Sequence, residues 1–565
     1  MVMSAETTGV SFSARTTCSL LALCSSVLMY AAFLPYGMGL AFVCLVPLLV
    51  TIRHQTCRRA FMLGWLAGSA GYALIGFGFT ESLLNYFGLG PWAVFFLGAM
   101  LALSLGLPLA VFCAVMVPLW RSAHRVWSLL VGAVVLAVLD VTAARYYLPS
   151  HATQLVGSLW RWPLLLQTAD LFGTAGPMFL LGIVNLAIAE VLHVAKRGEA
   201  LGPALRPVAA VGLIVVAGLA YGVGRSSSVV ASDADALRVA YCQTRRPSPE
   251  DIPLADAVSD VFVLPETSVD LTRAGDTEWL AEVLTRCRRV DSQLLAGVRR
   301  HGTGDHRPGL FNSVAHLCDG AVRWYDKRRL VPFSEYYPLE WLDPLGCRRA
   351  GWEGISHGQR GQPLFSIKGH AVCLLICYEL MESDLVARDV RRGAEVIIGL
   401  SNEEAFAANS LADRGVGQCV LRAIESRRPV VKVDKAGHSM AVDARGRIMV
   451  AEGSAASGSF RRFSIRPGNA ASFYMLTEPA QLPAGVLLCV VGFFLCRRRW
   501  LPEREDAVRV GGRDPDGIGA VSGERCEALV AMASSLRIHR RDGGATEPLG
   551  RTANAASFSE KGIER

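Results

Sequence analysis

The sequence predicts two joined parts: a membrane domain of about eight transmembrane helices, and a domain of the α/β class. Three observations predict this. Hydrophobic residues make up 52% of the 565 residues and charged residues 19%, and mean hydropathy is +0.33, which is too apolar for an ordinary soluble chain. Apolar runs near the ~20 residues that cross hydrocarbon recur between residues 17 and 224. From about Arg225 to Leu482, short apolar runs alternate with amphipathic helical patterns, as in an α/β layered fold.

The first apolar run, about Thr17–Leu34, follows a polar start that carries Arg15. No small-residue cleavage site follows it, so it reads as a retained helix rather than a signal peptide. Further spans are expected at about Gly39–Ile52, Phe61–Phe79, Trp92–Leu119, Trp127–Leu148, Leu165–Val194 and Pro207–Gly224. An eighth, Pro483–Leu495, runs straight into Arg497-Arg498-Arg499. The connecting loops alternate in charge. Arg53, Arg58, Arg59, Arg121, Arg125, Lys196, Arg197 and Arg206 all fall in every second loop. The positive-inside rule then puts those loops in the cytoplasm and the stretch after Arg225 on the far side. The expected layout is 1–224 membrane domain, 225–482 catalytic domain, 483–497 a last helix and 498–565 a cytoplasmic, disordered tail.

The formal net charge of +8 does not argue for nucleic acid, because the basic residues flank apolar runs. The 15 cysteines form no CxxC and no metal-type Cys/His spacing, so neither metal nor cofactor is expected. Asp140 lies within the fifth span, where a charge is costly. Two readings are open for it, a functional group or a partner for Arg145.

Within the α/β stretch, Leu237–Cys242, Val261–Leu264, Gln293–Val298, Val372–Cys377 and Glu395–Leu400 read as strands. Thr277–Ser292, Asp384–Arg392 and Leu411–Arg427 read as helices. Three strand-like runs end in reactive groups. Val261–Leu264 is followed by Pro265-Glu266, and a desolvated carboxylate there suits a general base. Trp324-Tyr325-Asp326 leads to Lys327, a fixed cation that suits a developing oxyanion. The run Ala371–Ile376 delivers Cys377-Tyr378-Glu379, and a thiol beside a base and a cation is a nucleophile. Taken singly, each also reads as a turn glutamate, a solvated charge run or a core cysteine.

Taken together, the ordered Glu266, Lys327 and Cys377 resemble the nitrilase superfamily. The stretches Pro265-Glu266, YDKRRLVPFSEYYP from Tyr325 to Pro338 and Ile376-Cys377-Tyr378-Glu379, with the flanking helices, resemble the apolipoprotein N-acyltransferases. Phe311-Asn312-Ser313, Ser401-Asn402, Arg422-Ala423-Ile424-Glu425 and Gln167…Gly173…Gly176 fit the same family. The resemblance implies a nitrilase-like α-β-β-α sandwich carried by membrane helices. It implies Glu266 as base, Lys327 as oxyanion cation and Cys377 as nucleophile, with Glu335, Tyr378 and Glu379 in support. It implies a two-step transfer of the sn-1 acyl chain of a phospholipid, typically phosphatidylethanolamine, through a Cys377 thioester. The acceptor is the N-terminal α-amine of diacylglyceryl-cysteine in an apolipoprotein. The expected location is the bacterial inner membrane, multi-pass, with the catalytic domain periplasmic.

The alternatives are a membrane-tethered nitrilase-type amidohydrolase and an inert scaffold. Asn402-Glu403-Glu404-Ala405-Phe406 departs from the family's Asn-Asp-x-Trp-Phe, and Lys432–Lys435 lacks its asparagine pair. Tyr337–Gly346, rich in Tyr, Leu and Trp, reads either as an apolar lid or as a buried loop.

Overall fold

The computed structural model describes residues 7–497, apart from 86–89, 123, 148–150, 197–201, 228–234, 244–258, 274, 305–306, 319, 333, 337–353, 407–410 and 454–458. The lid-or-loop stretch at Tyr337–Gly346 and the tail therefore lie outside the described residues.

Helices occupy all eight expected positions, with different bounds. They begin with α1 (Thr7–Ala31), the short α2 (Val46–Ile52), α3 (Cys57–Ile75), α4 (Phe77–Asn85), α5 (Pro91–Trp120) and α6 (Arg125–Thr142). Two single turns, α7 (Pro163–Leu166) and α8 (Ala169–Phe172), precede α9 (Ala175–Lys196) and α10 (Gly202–Ser227). Among the described residues, 5 helices are long and apolar enough to cross a membrane: α5, α6, α9, α10 and the last helix. The expected count of about eight is not reached by that measure. The α1 helix begins among polar residues with Arg15, and α3 opens on Cys57-Arg58-Arg59 and is rich in Gly, Ala and Ser.

Those small residues have a packing role. Gly64 and Gly68 form a small-xxx-small face on α3, and a Cβ on Gly68 would lie 2.9 Å from the Gly106 Cα of α5. The sixth expected span, Leu165–Val194, is broken rather than continuous. Gly173 sits at φ 58° against the Tyr474 ring, and α9 starts only at Ala175. Asp140 accepts from Gln154 Nε2 at 2.7 Å, while Arg145 pairs with Glu478, so the Asp140–Arg145 pair is not formed.

The α/β part contains two six-stranded sheets. One has the order β12-β1-β2-β3-β4-β5 and the other β11-β10-β9-β8-β7-β6. Their strands are β1 (Leu237–Gln243), β2 (Val261–Asp270), β3 (Gln293–Gly304), β4 (Arg307–Cys318), β5 (Ala321–Asp326), β6 (Phe365–Ile367), β7 (His370–Ile376), β8 (Val396–Ser401), β9 (Val430–Asp434), β10 (Ser439–Val442), β11 (Ile448–Glu452) and β12 (Ser459–Ile465). The helices are α11 (Asp276–Arg289), α12 (Ser383–Arg391), α13 (Leu411–Ser426) and α14 (Phe473–Arg497). The α14 helix starts well before the expected Pro483, so the boundary expected at Leu482 falls inside it.

Strand alternation sorts the side chains into layers. Val261, Val263, Leu374, Ile376, Ile398 and Val431 fill the core between the sheets. Phe262 and Leu264 face outward onto Trp279, Leu280 and Val283 of α11. Cys373, Leu375 and Ile397 face the other way, onto Val416, Val420 and Ala423 of α13. The layers therefore run helix, sheet, sheet, helix, as the nitrilase-like sandwich requires. The α13 layer shares one core with residues of the N-terminal helical part, such as Leu155, Leu136 of α6 and Leu166 of α7. A buried ionic cluster ties the parts further. Asp170 of α8 pairs with Arg427 at 2.7 Å and with Arg225 of α10 at 2.8 Å, and Arg427 also reaches Gln167.

Candidate active site

Glu266 is set by a break in β2. The β2–β3 register shifts between Leu264 and Val269, and Thr267 takes φ 49°. Such a bulge re-aims one side chain out of the strand alternation. Gly297 of β3 makes room for it, since a Cβ there would lie 2.2 Å from the Pro265 carbonyl. Lys327 follows β5 directly, and its backbone N–H donates to Asn312 at 2.9 Å. Cys377 follows β7 and opens a short 3-10 turn, Cys377–Met381, at φ 52°. A left-handed conformation at a non-glycine residue is costly and marks functional turns.

Glu266, Lys327 and Glu335 meet in one buried cluster. The Lys327 ammonium lies 3.3 Å from Glu266 Oε1 and 2.8 Å from Glu335 Oε1. Asn312 Nδ2 donates to both carboxylates, at 2.7 Å and 3.1 Å. Glu335 Oε2 accepts the Val331 N–H at 2.8 Å, which fixes its orientation. Cys377 hydrogen-bonds to the Glu266 carboxyl from the facing sheet.

Two carboxylates share one ammonium here, and that sets the electrostatics. Burial pushes the Glu266 pKa up, while Lys327 and the Asn312 hydrogen bond restrain the rise. Burial works against the Lys327 charge, yet Glu266 and Glu335 outweigh it and keep the lysine protonated. The Cys377 thiol is held well above its ordinary value, by burial first and then by the Glu266 charge. The resting thiol is therefore neutral, hydrogen-bonded to a basic carboxylate beside a fixed cation. Such an arrangement could activate a thiol whose deprotonation accompanies attack.

Glu379 joins the Cys377 turn to the Lys327 loop. Its Oε1 accepts from the backbone N–H groups of Arg328 and Arg329, at 2.6 and 3.0 Å. Its Oε2 accepts from the Tyr325 hydroxyl and the Ile376 N–H, at 2.7 and 2.9 Å. The Tyr378 hydroxyl bonds to Glu382. Asn312 was legible only as part of a motif, without a role. A second buried cluster, Glu403, Lys432 and Asp434, was noted only as a departure from the family pattern. Among the described residues no group of three or more His, Cys, Asp or Glu could hold a metal ion.

Residues 25–187 match the model for the apolipoprotein N-acyltransferase N-terminal domain, and residues 251–458 match that for carbon-nitrogen hydrolases. Over both segments the chain is similar to the apolipoprotein N-acyltransferases. A relative named apolipoprotein N-acyltransferase from Geobacter metallireducens is 27% identical over 456 residues, covering 76% of this chain and 86% of its own. Another of that name, from Caulobacter vibrioides, is 29% identical over 431 residues, covering 70% and 78%. Among solved structures, an amidase from Nesterenkonia sp. AN1 aligns at TM-score 0.34 and 16% identity, over 46% of this chain and all of its own. A CN-hydrolase superfamily protein from Xanthomonas campestris aligns at TM-score 0.31 and 22% identity, over 44% of this chain and 96% of its own. This similarity and the long apolar helices together point to a multi-pass bacterial membrane protein.

Proposed function

We propose that this enzyme moves the sn-1 acyl chain of a phospholipid onto the N-terminal α-amine of diacylglyceryl-cysteine in apolipoproteins, the last step of lipoprotein maturation. It is an acyltransferase of the ping-pong type. Phosphatidylethanolamine is the proposed donor. The protein sits in the inner membrane with its catalytic domain on the periplasmic side, as the charged loops suggest.

The observation that carries this reading is a nitrilase-type Glu–Lys–Cys site whose helix layer shares a hydrophobic core with the membrane helices. Both substrates are lipid-anchored, so a site fixed at the bilayer surface meets them without extracting either. A hydrolase of small soluble amides gains nothing from that attachment.

In the first half-reaction Glu266 takes the Cys377 proton as sulfur attacks the ester carbonyl. Lys327 stabilises the oxyanion. Glu266 then protonates the departing glycerol oxygen, leaving lysophospholipid and a thioester on Cys377. In the second half-reaction an amine attacks the thioester, an amide forms and the thiol returns. Glu335 orients Lys327, Glu379 holds the nucleophile turn, and Tyr378 packs beside it.

The test uses membranes given phosphatidylethanolamine labelled in either the sn-1 or the sn-2 chain, with a diacylated lipopeptide. The expected result is sn-1 label on the peptide amine, and none with C377S. Label released as free fatty acid, with none on the peptide, would overturn the transfer reading in favour of a hydrolase.

A further inference from the structure

Beside the proposed nucleophile lies a second buried ionic cluster that the reaction above does not use. Glu403 follows β8, and β8 runs parallel to β7 with Ile376 opposite Leu400. Cys377 and Glu403 therefore leave the carboxyl-terminal edge of adjacent strands. The intervening Asn402 reaches the Thr267 hydroxyl at 3.4 Å, next to Glu266 on the facing sheet.

Lys432 of β9 lies 2.7 Å from Glu403 Oε1 and 3.2 Å from Asp434 Oδ2. One ammonium thus serves two buried carboxylates. Asp434 is anchored by the backbone: its Oδ1 accepts N–H groups from Glu403, Ala436 and Gly437 at 3.1, 3.0 and 2.6 Å, and its Oδ2 lies against Lys432 at 3.2 Å. Glu403 is 8% exposed, and its Oε2 has no hydrogen-bond partner among the described residues. Two glycines leave it room. A Cβ on Gly437 would lie 2.2 Å from Oε2, and one on Gly415 2.9 Å from Oε1. An unpartnered carboxylate oxygen beside the nucleophile is a seat for a cation.

We infer that Glu403 binds the α-ammonium of the acceptor and takes its first proton, which makes it a catalytic residue of the second half-reaction. This rests on the acyl-transfer reading. An ammonium has no lone pair and cannot attack. It gives one proton to Glu403 and becomes a neutral amine, which attacks the Cys377 thioester carbonyl. The C–N bond forms, and Glu266 takes the second N–H proton. The intermediate collapses, the C–S bond breaks, and Glu266 returns that proton to sulfur. Glu403 releases its own proton to water.

Two further features fit. Burial, opposed by Lys432 and reinforced by Asp434, pushes the Glu403 carboxyl up to about 7. That is close to the roughly 7.7–8.0 of an α-amine, so the proton moves between groups of similar strength. The other titratable groups acting on or influenced by Glu403 are Cys377, Cys419 of α13 and His438 after β9, which is paired with Asp413. The Glu403 loop also docks on the membrane domain. Phe406 stacks on Phe79 of α4 with ring centroids 6.4 Å apart, and Ser82 donates to the Ala405 carbonyl at 2.6 Å.

The test reads the two half-reactions separately on the full-length enzyme. Cys377 is loaded from labelled phospholipid without acceptor, then discharged by a diacylated lipopeptide between pH 6 and 9. With E403Q, loading should stay within about threefold of wild type. Discharge at neutral pH should fall at least ~10-fold, within the range of a lost proton acceptor. The gap should close as pH rises past the amine pKa. Discharge by hydroxylamine, uncharged at neutral pH, should be unchanged, and E403D should recover part of the loss. Discharge is read per loaded enzyme, so a loss of folded protein does not alter it. Equal slowing of loading and discharge, or a discharge defect independent of pH, would overturn the inference. A wild-type enzyme that never loads Cys377 would overturn the acyl-transfer reading instead.

Discussion

Glu379, two residues after the cysteine, accepts the backbone N–H of Arg328, one residue after the lysine, at 2.6 Å. The turn that presents the thiol and the loop that presents the cation are thereby joined across the two facing sheets. With four donors on one fully buried carboxylate, glutamine is a poor substitute. Its NH2 group would face two N–H or O–H donors. E379Q should lower stability by about 3 kcal/mol, the scale of unsatisfied buried donors. It should also cut Cys377 loading at least tenfold, as seen by thermal unfolding and loading kinetics on the same preparation.

Asn312 bonds both Glu266 and Glu335, and its bond to Glu266 favours the ionised form. The base must be ionised to accept the thiol proton, so loading falls as pH drops through its pKa. N312A removes a bond that lowers that pKa. The acidic limb of the loading–pH profile should move to higher pH, with a smaller change on the alkaline plateau. An unmoved acidic limb would assign that limb to another group.

Gly297 lies under the Pro265–Glu266 bulge, where a Cβ would be 2.2 Å from the Pro265 carbonyl. G297A must push the bulge and Glu266 away from Cys377. Misplacing a reacting group by about 1 Å costs on the order of 100-fold. Loading should fall by that order, while KM for the phospholipid, set by the rest of the site, should change little.

Asp170 holds Arg427 and Arg225, tying α8 and α10 to the end of α13. D170N leaves Arg427 buried and uncompensated. The expected loss is about 3 kcal/mol, the lower end for breaking a buried pair. It should be visible as a lower unfolding temperature in detergent, with the per-enzyme loading rate preserved.

The sequence made the buried strands legible where their residues are apolar throughout, as in Val261–Leu264 and Ile397–Leu400. It hid β4 and β9, whose Asn312, Lys432 and Asp434 break the apolar pattern. Those polar positions are the ones that build the two ionic clusters, and their pairing depends on contacts between strands distant in the chain. Glu266, Lys327 and Cys377 stood out because each ends an apolar run inside a recognisable motif. Asn312 and Glu403 carry no such mark, since one orients a carboxylate and the other faces the thiol only after β7 and β8 align. The break at Gly173 was equally hidden, because hydropathy runs through it while the backbone does not.

The most direct measurement is the mass of the intact enzyme after incubation with phospholipid alone. One acyl chain should be added, mapped to Cys377, removed by neutral hydroxylamine and absent from C377S. An acyl adduct on another residue, or a hydroxylamine-labile adduct that persists in C377S, would contradict it.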